Sequence, residues 1–266
     1  MQNEALLRMG SFIAILMVMM VWEACLPNRV SPVAKTKRWL SNFFLVFCGA
    51  LVARLIVPTG LAVVALYADR HQIGLLNLVT LPQWLIVLIA MVLLDCLIYW
   101  QHRVFHRVPI LWRLHRVHHA DPHLDASSGL RFHPLEIALS LLIKALAIVV
   151  LGVPAEAILL FEILLNASSI FNHSNVKLPD WLEWPLRKLI VTQAMHRIHH
   201  SQVVTETDSN FGFSLSVWDK LFGTYTHQAA AGDDDLILGL KEYNSEKTNT
   251  GILTVLLMPF RHTPKN

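Results

Sequence analysis

The 266-residue chain has little charge and little cysteine for its length. Charged residues make up 15% of it, whereas soluble domains carry roughly 25%, so the chain lacks the polar surface that covers a water-exposed globule. Its 54% of hydrophobic residues excludes a disordered protein, and a formal net charge of +3 is too small to indicate a nucleic acid partner. The three cysteines are too few for a disulfide framework, and their apolar surroundings predict buried thiols at Cys25, Cys48 and Cys96.

Long apolar runs predict membrane-spanning helices, because a span needs about 20 mostly apolar residues. The first run lacks a cleavage site after it, which favours a retained anchor over a signal peptide. The second contains Arg54 and Pro58, which predicts a kinked helix or an arginine that faces protein. The last is interrupted at Gly152-Val153-Pro154, which predicts a helical hairpin. The runs cover residues 5–22, 42–68, 82–100 and 135–171.

These runs predict an all-α, multi-pass membrane protein with four or five membrane-embedded helices and a helical cap. Lys and Arg concentrate in cytoplasmic loops, and here they are frequent in residues 23–41 and 101–132, whereas 67–81 contains only Arg70. This alternation predicts that the cap and the chain after about residue 172 are cytoplasmic. In a bacterium the membrane would be the inner one. The tail, 229–266, is predicted to be mostly peripheral, with GILTVLLMPF on the membrane interface.

The 14 histidines are distributed unevenly. Three short clusters, HRVFH, HRVHH and HRIHH, each place imidazoles three or four residues apart, on one face of a helix. A hydrophobic core would not contain so many unpaired polar groups, and neutral imidazole is the commonest side-chain metal ligand. The clusters therefore predict a metal site. The three histidines of HRVHH, and likewise those of HRIHH, would bind one metal or be divided between two adjacent metals. The clustered residues are His102, His106, His115, His118, His119, His196, His199 and His200.

Further side chains are candidates for the same site. His133 in RFHPLE and His173 in FNHSN lie at the predicted level of the clusters and bring the total to ten, enough for two metals with five imidazoles each. Ligating histidines often donate their second N–H to a carboxylate, and an acidic residue inside a membrane helix is usually functional. The candidates for such supporting roles are Asp95, Glu136, Asn210 and Asp219. Left out for lack of cluster spacing are His71, His123, His227 and His262.

The ordered boxes HRVFH, HRVHH, HPLE, NHSN and HRIHH resemble those of the integral-membrane fatty acid hydroxylase / sterol desaturase superfamily. The flanking strings DCLIYWQHR, PILWRLH and NFGFSLSVWDKLFGT agree with it, and the resemblance spans about residues 93–226. It implies an oxidoreductase that uses O2 at a non-haem di-iron centre to hydroxylate or desaturate a fatty-acyl chain, a sterol or a related lipid. Iron is implied by the resemblance alone, because imidazole also suits zinc, copper and nickel. Zinc is a candidate for a purified or inactive form.

Electrons for such a reaction are expected from a separate protein, ferredoxin-like or a small cytochrome with its reductase. The chain has neither a Cys-x-x-Cys string nor a glycine-rich dinucleotide fingerprint. Arginines around the boxes would steer an acidic carrier, or simply bind lipid phosphates: Arg103, Arg107, Arg113, Arg116 and Arg197. A membrane metal-binding protein without oxygenase activity, such as a zinc or iron transporter or sensor, is the alternative.

The domain prediction is a single domain over residues 1–266. It consists of anchor helices within 5–68, the histidine-box core at about 93–226 and the tail at 229–266.

Overall fold

The computed structural model describes residues 2–31, 33–243 and 245–261, and within these ranges the chain is helical, with no β-strand beyond two isolated bridges. Five helical segments are long and apolar enough to cross a membrane. Large side chains on their outer surfaces, such as Phe47 and Leu146, are 66% exposed, as contact with lipid requires. The all-α, multi-pass class is therefore confirmed. The segments are Glu4–Cys25, Lys35–Leu78, Gln83–Arg107, Pro134–Leu151 and Ala155–His173.

The helices form a bundle with a cap at one end. Among the described residues they are α1 (Gln2–Cys25), α2 (Lys35–Ile56), α3 (Leu61–Arg70), α4 (Gln83–Arg107), α5 (Pro109–His119), α6 (Pro134–Leu151), α7 (Ala155–His173), α8 (Asp180–Leu186), α9 (Gln193–His199), α10 (Val204–Thr207), α11 (Val217–Leu221), α12 (Glu246–Thr250) and α13 (Ile252–Leu257). We call the end where α4 and α7 end and α6 begins the histidine end, and the opposite end the distal end.

The second apolar run is broken rather than kinked. Helix α2 ends at Ile56, and α3 begins only at Leu61. Proline has no N–H to donate and disfavours a helical conformation at the residue before it, so Pro58 stops the helix. Arg54 is exposed beside this break, and its guanidinium donates to the carbonyl of Pro58.

The predicted hairpin is present as α6 and α7, which are joined at the distal end. Gly152 ends α6 in the left-handed region, with φ +69°, which glycine adopts without steric cost. The segment after α3 packs directly against this turn, since a Cβ on Gly74 would lie 2.1 Å from the backbone nitrogen of Gly152. The segment after α3 and the turn between α6 and α7 therefore both lie at the distal end, away from the histidines.

A buried charge network joins α2 to the cap. Arg38 is fully buried, and its guanidinium donates to Asp121 at 2.7 and 2.8 Å, to Asp125 at 2.8 Å and to Ser128 at 2.9 Å. Buried charges are tolerated when they are paired and hydrogen-bonded in this way. The network holds the loop that connects the second histidine box to α6.

The C-terminal segment is half embedded in the cap. Val255 and Met258 are fully buried in a cluster with Leu45 of α2 and Val117 of α5. On the other side Leu253 is 73% exposed, a position suited to the membrane interface. Residues 262–266, including His262, lie outside the described residues.

The prediction of buried cysteines was wrong. Cys25 is exposed, and Cys48 and Cys96 are partly exposed, all as free thiols. All three lie within candidate membrane-spanning segments, where lipid can take the place of a protein core.

Candidate metal centre

Nine of the ten predicted histidines converge in two groups at the histidine end. Within each group, one nitrogen from every member lies within 4.8 Å of all the others, and all nine side chains are buried. The groups adjoin, because the rings of His119 and His200 stack with their centroids 4.3 Å apart. The first group is His102, His106, His115, His119 and His199, and the second is His118, His173, His196 and His200.

The two H-x-x-H-H boxes are each divided between the groups. In α5, His115 and His119 are four residues apart and face the first group, whereas His118 faces the second. In and just after α9 the division is reversed, with His196 and His200 in the second group and His199 in the first. Residues four apart share a helix face, and the residue between them points about 100° away. One short helix thus supplies ligands to both groups.

Hydrogen bonds from Nδ1 orient several of these rings. His102 donates to the carbonyl of Phe211 at 2.9 Å, His199 to that of Ser209 at 2.7 Å, and His173 to that of Ser169 at 2.7 Å. A carbonyl only accepts, so Nδ1 carries the proton in each ring and Nε2 presents a lone pair. The Nε2 atoms of His102 and His199 have no hydrogen-bond partner among the described residues. This arrangement is typical of histidines that bind a metal through Nε2.

The Nε2 atoms of the second group crowd together in the same way. His173 Nε2 lies 3.0 Å from Nε2 of His118 and 3.0 Å from Nε2 of His196, which in turn lies 3.2 Å from Nε2 of His200. Three or more convergent ring nitrogens cannot all be paired by the few protons that neutral imidazoles carry. A bound cation is what this arrangement of lone pairs fits.

Burial keeps the rings in the cap neutral. It lowers the pKa of His118, His119, His196, His199 and His200 well below 6.5, and the neighbouring imidazoles lower it further. A neutral ring offers a lone pair to a metal at neutral pH without first losing a proton. Sets made of neutral nitrogens suit iron, zinc, copper or nickel rather than magnesium or calcium. The residues therefore fit two transition-metal ions, one in each group.

Glu136, one of the predicted supporting residues, contacts a clustered histidine directly. His115 Nδ1 lies 2.7 Å from its Oε1 at the start of α6. This is the carboxylate–histidine contact that fixes the orientation of a ligating ring and raises its basicity.

Asp95, another predicted supporting residue, contacts none of the clustered histidines, not even His102 two turns later on α4. Its carboxylate accepts hydrogen bonds from the backbone of Ser214 and Leu215 and from Trp218 Nε1, at 2.8–3.3 Å. Seven residues of α-helix span about 10 Å, which is too far for the Asp95 carboxylate to reach the imidazole. Asp95 instead anchors the segment that follows the last histidine box.

Asn210 and Asp219 act on the same segment, one hydrogen bond away from the ligands. Asp219 accepts from the backbone N–H groups of Phe211 and Gly212, both at 2.7 Å, and burial raises its pKa to about 6. Asn210 adopts φ +52° and donates to the carbonyls of Met195 and Thr226. Together they shape the turn whose carbonyls receive the protons of His199 and His102.

His133 is the one predicted ligand that joins neither group. Its Nδ1 accepts from the backbone N–H of Leu135 at 3.2 Å, as an N-cap, so the proton is on Nε2. That Nε2 lies 3.1 Å from the carbonyl of Leu256 and donates to it. With both ring nitrogens occupied, His133 caps α6 and links it to α13.

The histidines that were left out also lie apart from the groups. The ring of His71 lies tilted against that of Tyr67, with centroids 4.5 Å apart, and His227 stacks on Trp184 at 4.8 Å. His123 is buried beside Arg38, which donates to its carbonyl.

Several supporting groups could not be found from the sequence. Asp208 lies 3.2 Å from His106 Nδ1, yet it follows the last box at no helical spacing. The sequence cannot indicate the supporting carbonyls, because every residue has a carbonyl group. These are the carbonyls of Ser169, Ser209 and Phe211.

The predicted basic face is smaller than the sequence suggested. Arg116 and Arg197 are buried: Arg116 donates to the carbonyl of Met258, and Arg197 pairs with Asp233 at 2.8 Å. Arg107 remains exposed, and Arg103 lies over the ring of Trp100.

A cavity of about 490 Å³ lies inside the helix bundle next to the histidines. Its walls come from α1, α2, α4, α6 and α7. At the histidine end it is lined by Phe132 and Glu136. Phe132 stacks on His118, with ring centroids 4.5 Å apart and planes 10° apart, so one layer of side chains separates the cavity from the clustered histidines.

A helical bundle with spanning helices, buried histidine clusters and an adjacent cavity defines the class of integral-membrane, histidine-box proteins. The chain belongs to the fatty acid hydroxylase family, whose model matches residues 87–224, a little over half of its length.

Curated relatives include enzymes with several lipid substrates in their names. The chain is 28% identical to ornithine lipid hydroxylase OlsE of Rhizobium tropici, over 65% of this chain and 50% of that protein. It is 30% identical to human alkylglycerol monooxygenase, over 53% of this chain and 30% of that one. It is 29% identical to rat cholesterol 25-hydroxylase, over 52% and 46%. The chain thus matches half or less of the length of these relatives, and no solved structure matches it significantly.

Proposed function

We propose that this protein is an O2-dependent lipid oxygenase that hydroxylates or desaturates a membrane lipid at a pair of iron ions. The observation that carries the proposal is the pair of buried, nitrogen-only ligand groups one side-chain layer from an intramembrane cavity. Membership of the fatty acid hydroxylase family supports the class of reaction. Relatives named for ornithine lipid, alkylglycerol and cholesterol support a fatty-acyl, sterol or related lipid as the substrate.

Nine histidines would hold the ions, five in the first group and four in the second. Iron bound there would supply the redox chemistry that O2 activation requires. The chain itself keeps the imidazoles of the cap neutral by burial. It orients four of the nine rings through Nδ1 hydrogen bonds, those of His102, His115, His173 and His199. The cap excludes water, which protects a reactive centre from side reactions. The cavity brings an apolar chain to Phe132, beside the ligands.

Electrons would come from a separate protein, ferredoxin-like or a small cytochrome with its reductase. We place the histidine end on the cytoplasmic side, where such a carrier is found. The alternation of basic and neutral connections supports this orientation, since the connections at the distal end carry few cations. Arg107 and its neighbours would form the smaller basic surface on which an acidic carrier docks.

The test uses the full chain, purified in detergent and loaded with iron. We expect two iron ions per chain and, with O2, a reduced carrier and a total membrane lipid extract, one product heavier by an oxygen atom or lighter by two hydrogens in mass spectrometry. His199→Ala should abolish the product, whereas the matched change His227→Ala should not.

Two other results would contradict parts of the proposal. Turnover with NADPH alone would contradict the separate electron donor. Stable metal binding without an O2-dependent product would contradict the oxygenase and favour a transporter or sensor.

A further inference from the structure

The walls of the intramembrane cavity carry two polar stripes. On α6, Glu136, Ser140 and Lys144 are four residues apart and all line the cavity. On α7, Glu162 and Asn166 line the facing wall. Ionisable residues inside a membrane are expensive and usually mark a function, and a cavity that held only a hydrocarbon chain would need none of them.

The charges at the distal part of this cavity do not balance. Arg8 of α1 pairs with Glu162 of α7, which leaves this pair neutral. Lys144 lines the same cavity as both residues. Among the described residues its ammonium makes no hydrogen bond or ion pair. At this end of the cavity, Arg8 and Lys144 are two cations against the single carboxylate of Glu162. The adjoining second cavity adds Glu4 and Arg54, one charge of each sign, so one positive charge remains in excess.

At the histidine end of the same cavity, the ionisable side chain is acidic. Glu136 lies there, and its Oε2 has no hydrogen-bond partner among the described residues. A carboxylate repels an anion, whereas Lys144 attracts one. Eight residues of α-helix separate the two, a distance of about 12 Å. An amphiphile with a negative head would therefore lie with its head at Lys144 and its chain toward Phe132.

A second cavity gives such a molecule a route from the distal end. It has a volume of about 640 Å³, shares Arg8 and Glu162 with the first, and extends to Arg54 and Gly60. The wall that both cavities share on α2 consists of the small residues Ala50 and Ala53, which leave room for a chain.

We infer that Lys144, with Arg8 beside it, binds the single carboxylate or phosphate group of an alkyl amphiphile whose chain extends toward the metal centre. This names the substrate class of the proposed function and rests on it for the catalytic consequence. The binding itself is measurable without turnover. The site selects an anionic head and sets its distance from the metals, so oxidation falls on a carbon remote from the head.

The experiment measures binding to the full chain in neutral detergent at pH 8. The probes are hexadecanoate, hexadecyl phosphate and hexadecanol, which share one chain and differ in the head. We expect at least one anion to bind about tenfold more tightly than the alcohol, because a hydrogen bond to a charged group contributes more than one to a neutral group. The preferred anion identifies the head as carboxylate or phosphate.

Variants locate the charge that is responsible. Lys144→Met should remove the preference for the anion and leave the affinity for hexadecanol unchanged, whereas Lys144→Arg should retain the preference. Glu162→Gln should strengthen anion binding, because it frees Arg8. The matched control Lys177→Met removes an exposed lysine of the cap and should change nothing.

Equal affinities for the anions and the alcohol, or an anion preference that survives Lys144→Met, would overturn the inference. Absence of turnover with the anion preference intact would contradict only the proposed oxygenase.

Discussion

At the scale of single residues, the geometry of the centre depends on the backbone groups that accept hydrogen bonds from the imidazoles. His102 and His199 are held by the carbonyls of Phe211 and Ser209, which lie on one turn after the last box. Asp219 holds that turn through two backbone N–H groups. A carboxylate that contacts no clustered histidine thus helps to set the orientation of two of them, the proposed ligands His102 and His199.

We therefore expect Asp219→Asn to weaken the centre without removing a ligand. The amide has only one oxygen, so its NH2 group would face the N–H of Phe211 or of Gly212. Loss of such a supporting contact typically lowers metal affinity or activity by 10–100-fold, and we expect about tenfold here. Iron content and turnover measure it, and Asp235→Asn at the surface is the control. Unchanged iron affinity would show that the turn holds its shape without Asp219.

His133 and His199 give a second test at this scale. Because both nitrogens of His133 are occupied by backbone groups, His133→Ala should retain both iron ions and cost about 1 kcal/mol of stability, as the loss of a helix cap does. His199→Ala and His196→Ala should each lower the iron content toward one, since they belong to different groups. Metal analysis and thermal unfolding distinguish these outcomes. Loss of iron in His133→Ala would make it a tenth ligand.

At the scale of helices and loops, short elements supply ligands to two groups at once. Helix α5 sends His115 and His119 to the first group and His118 to the second. Such an element must be fixed at both ends, and the loop that follows it is fixed by Arg38 of α2. The chain outside the matched family region therefore contributes to the order of the centre.

This loop predicts an acid sensitivity. Burial and Arg38 lower the pKa of His123 to about 4, although Asp121 and Asp125 oppose the shift. In the unfolded chain the pKa of a histidine is about 6.5, so below that pH protonation of His123 favours unfolding. The stability due to neutral His123 is therefore complete above pH 6.5 and is lost as the pH falls toward 4. Between pH 7.5 and pH 5 we expect a loss of about 2 kcal/mol.

Thermal unfolding of the wild type and of His123→Gln at both pH values isolates this contribution. The other histidines titrate equally in both proteins, so the difference between the two pH responses belongs to His123. The same acid response in both proteins would contradict the prediction.

At the scale of the whole molecule, the two ends of the bundle contain different structural features. The histidine end carries the centre under its cap, and the distal end carries the turn at Gly152 and the second cavity. The prediction of one domain over residues 1–266 stays a prediction. The packing of α13 against α2 and α5 agrees with it.

The orientation in the membrane is testable with single cysteines in a cysteine-free background. In intact cells, a membrane-impermeant maleimide should label Gln72→Cys at the distal end and not Arg107→Cys at the histidine end, if the basic connections are cytoplasmic as we propose. After permeabilisation both positions should react, because both are exposed. Labelling of Arg107→Cys in intact cells would reverse the topology.

Local sequence was enough for the features that depend on spacing and composition. The apolar runs predicted the spanning helices, Gly152 predicted the hairpin turn, and the three boxes predicted which imidazoles gather. Each of these is a property of neighbours on one helix, where periodicity decides which face a residue occupies.

The tertiary structure alone decided the roles that depend on distant partners. The division of each box between two groups, the capping role of His133 and the anchoring role of Asp95 depend on contacts between residues far apart in sequence. The role that we infer for Lys144 also depends on distant residues. Within the described part of the chain its charge has no ion-pair partner, because Arg8 and Glu162, from two other helices, pair with each other. Spacing along the chain cannot reveal such roles, because side chains are assigned to partners only when the helices pack.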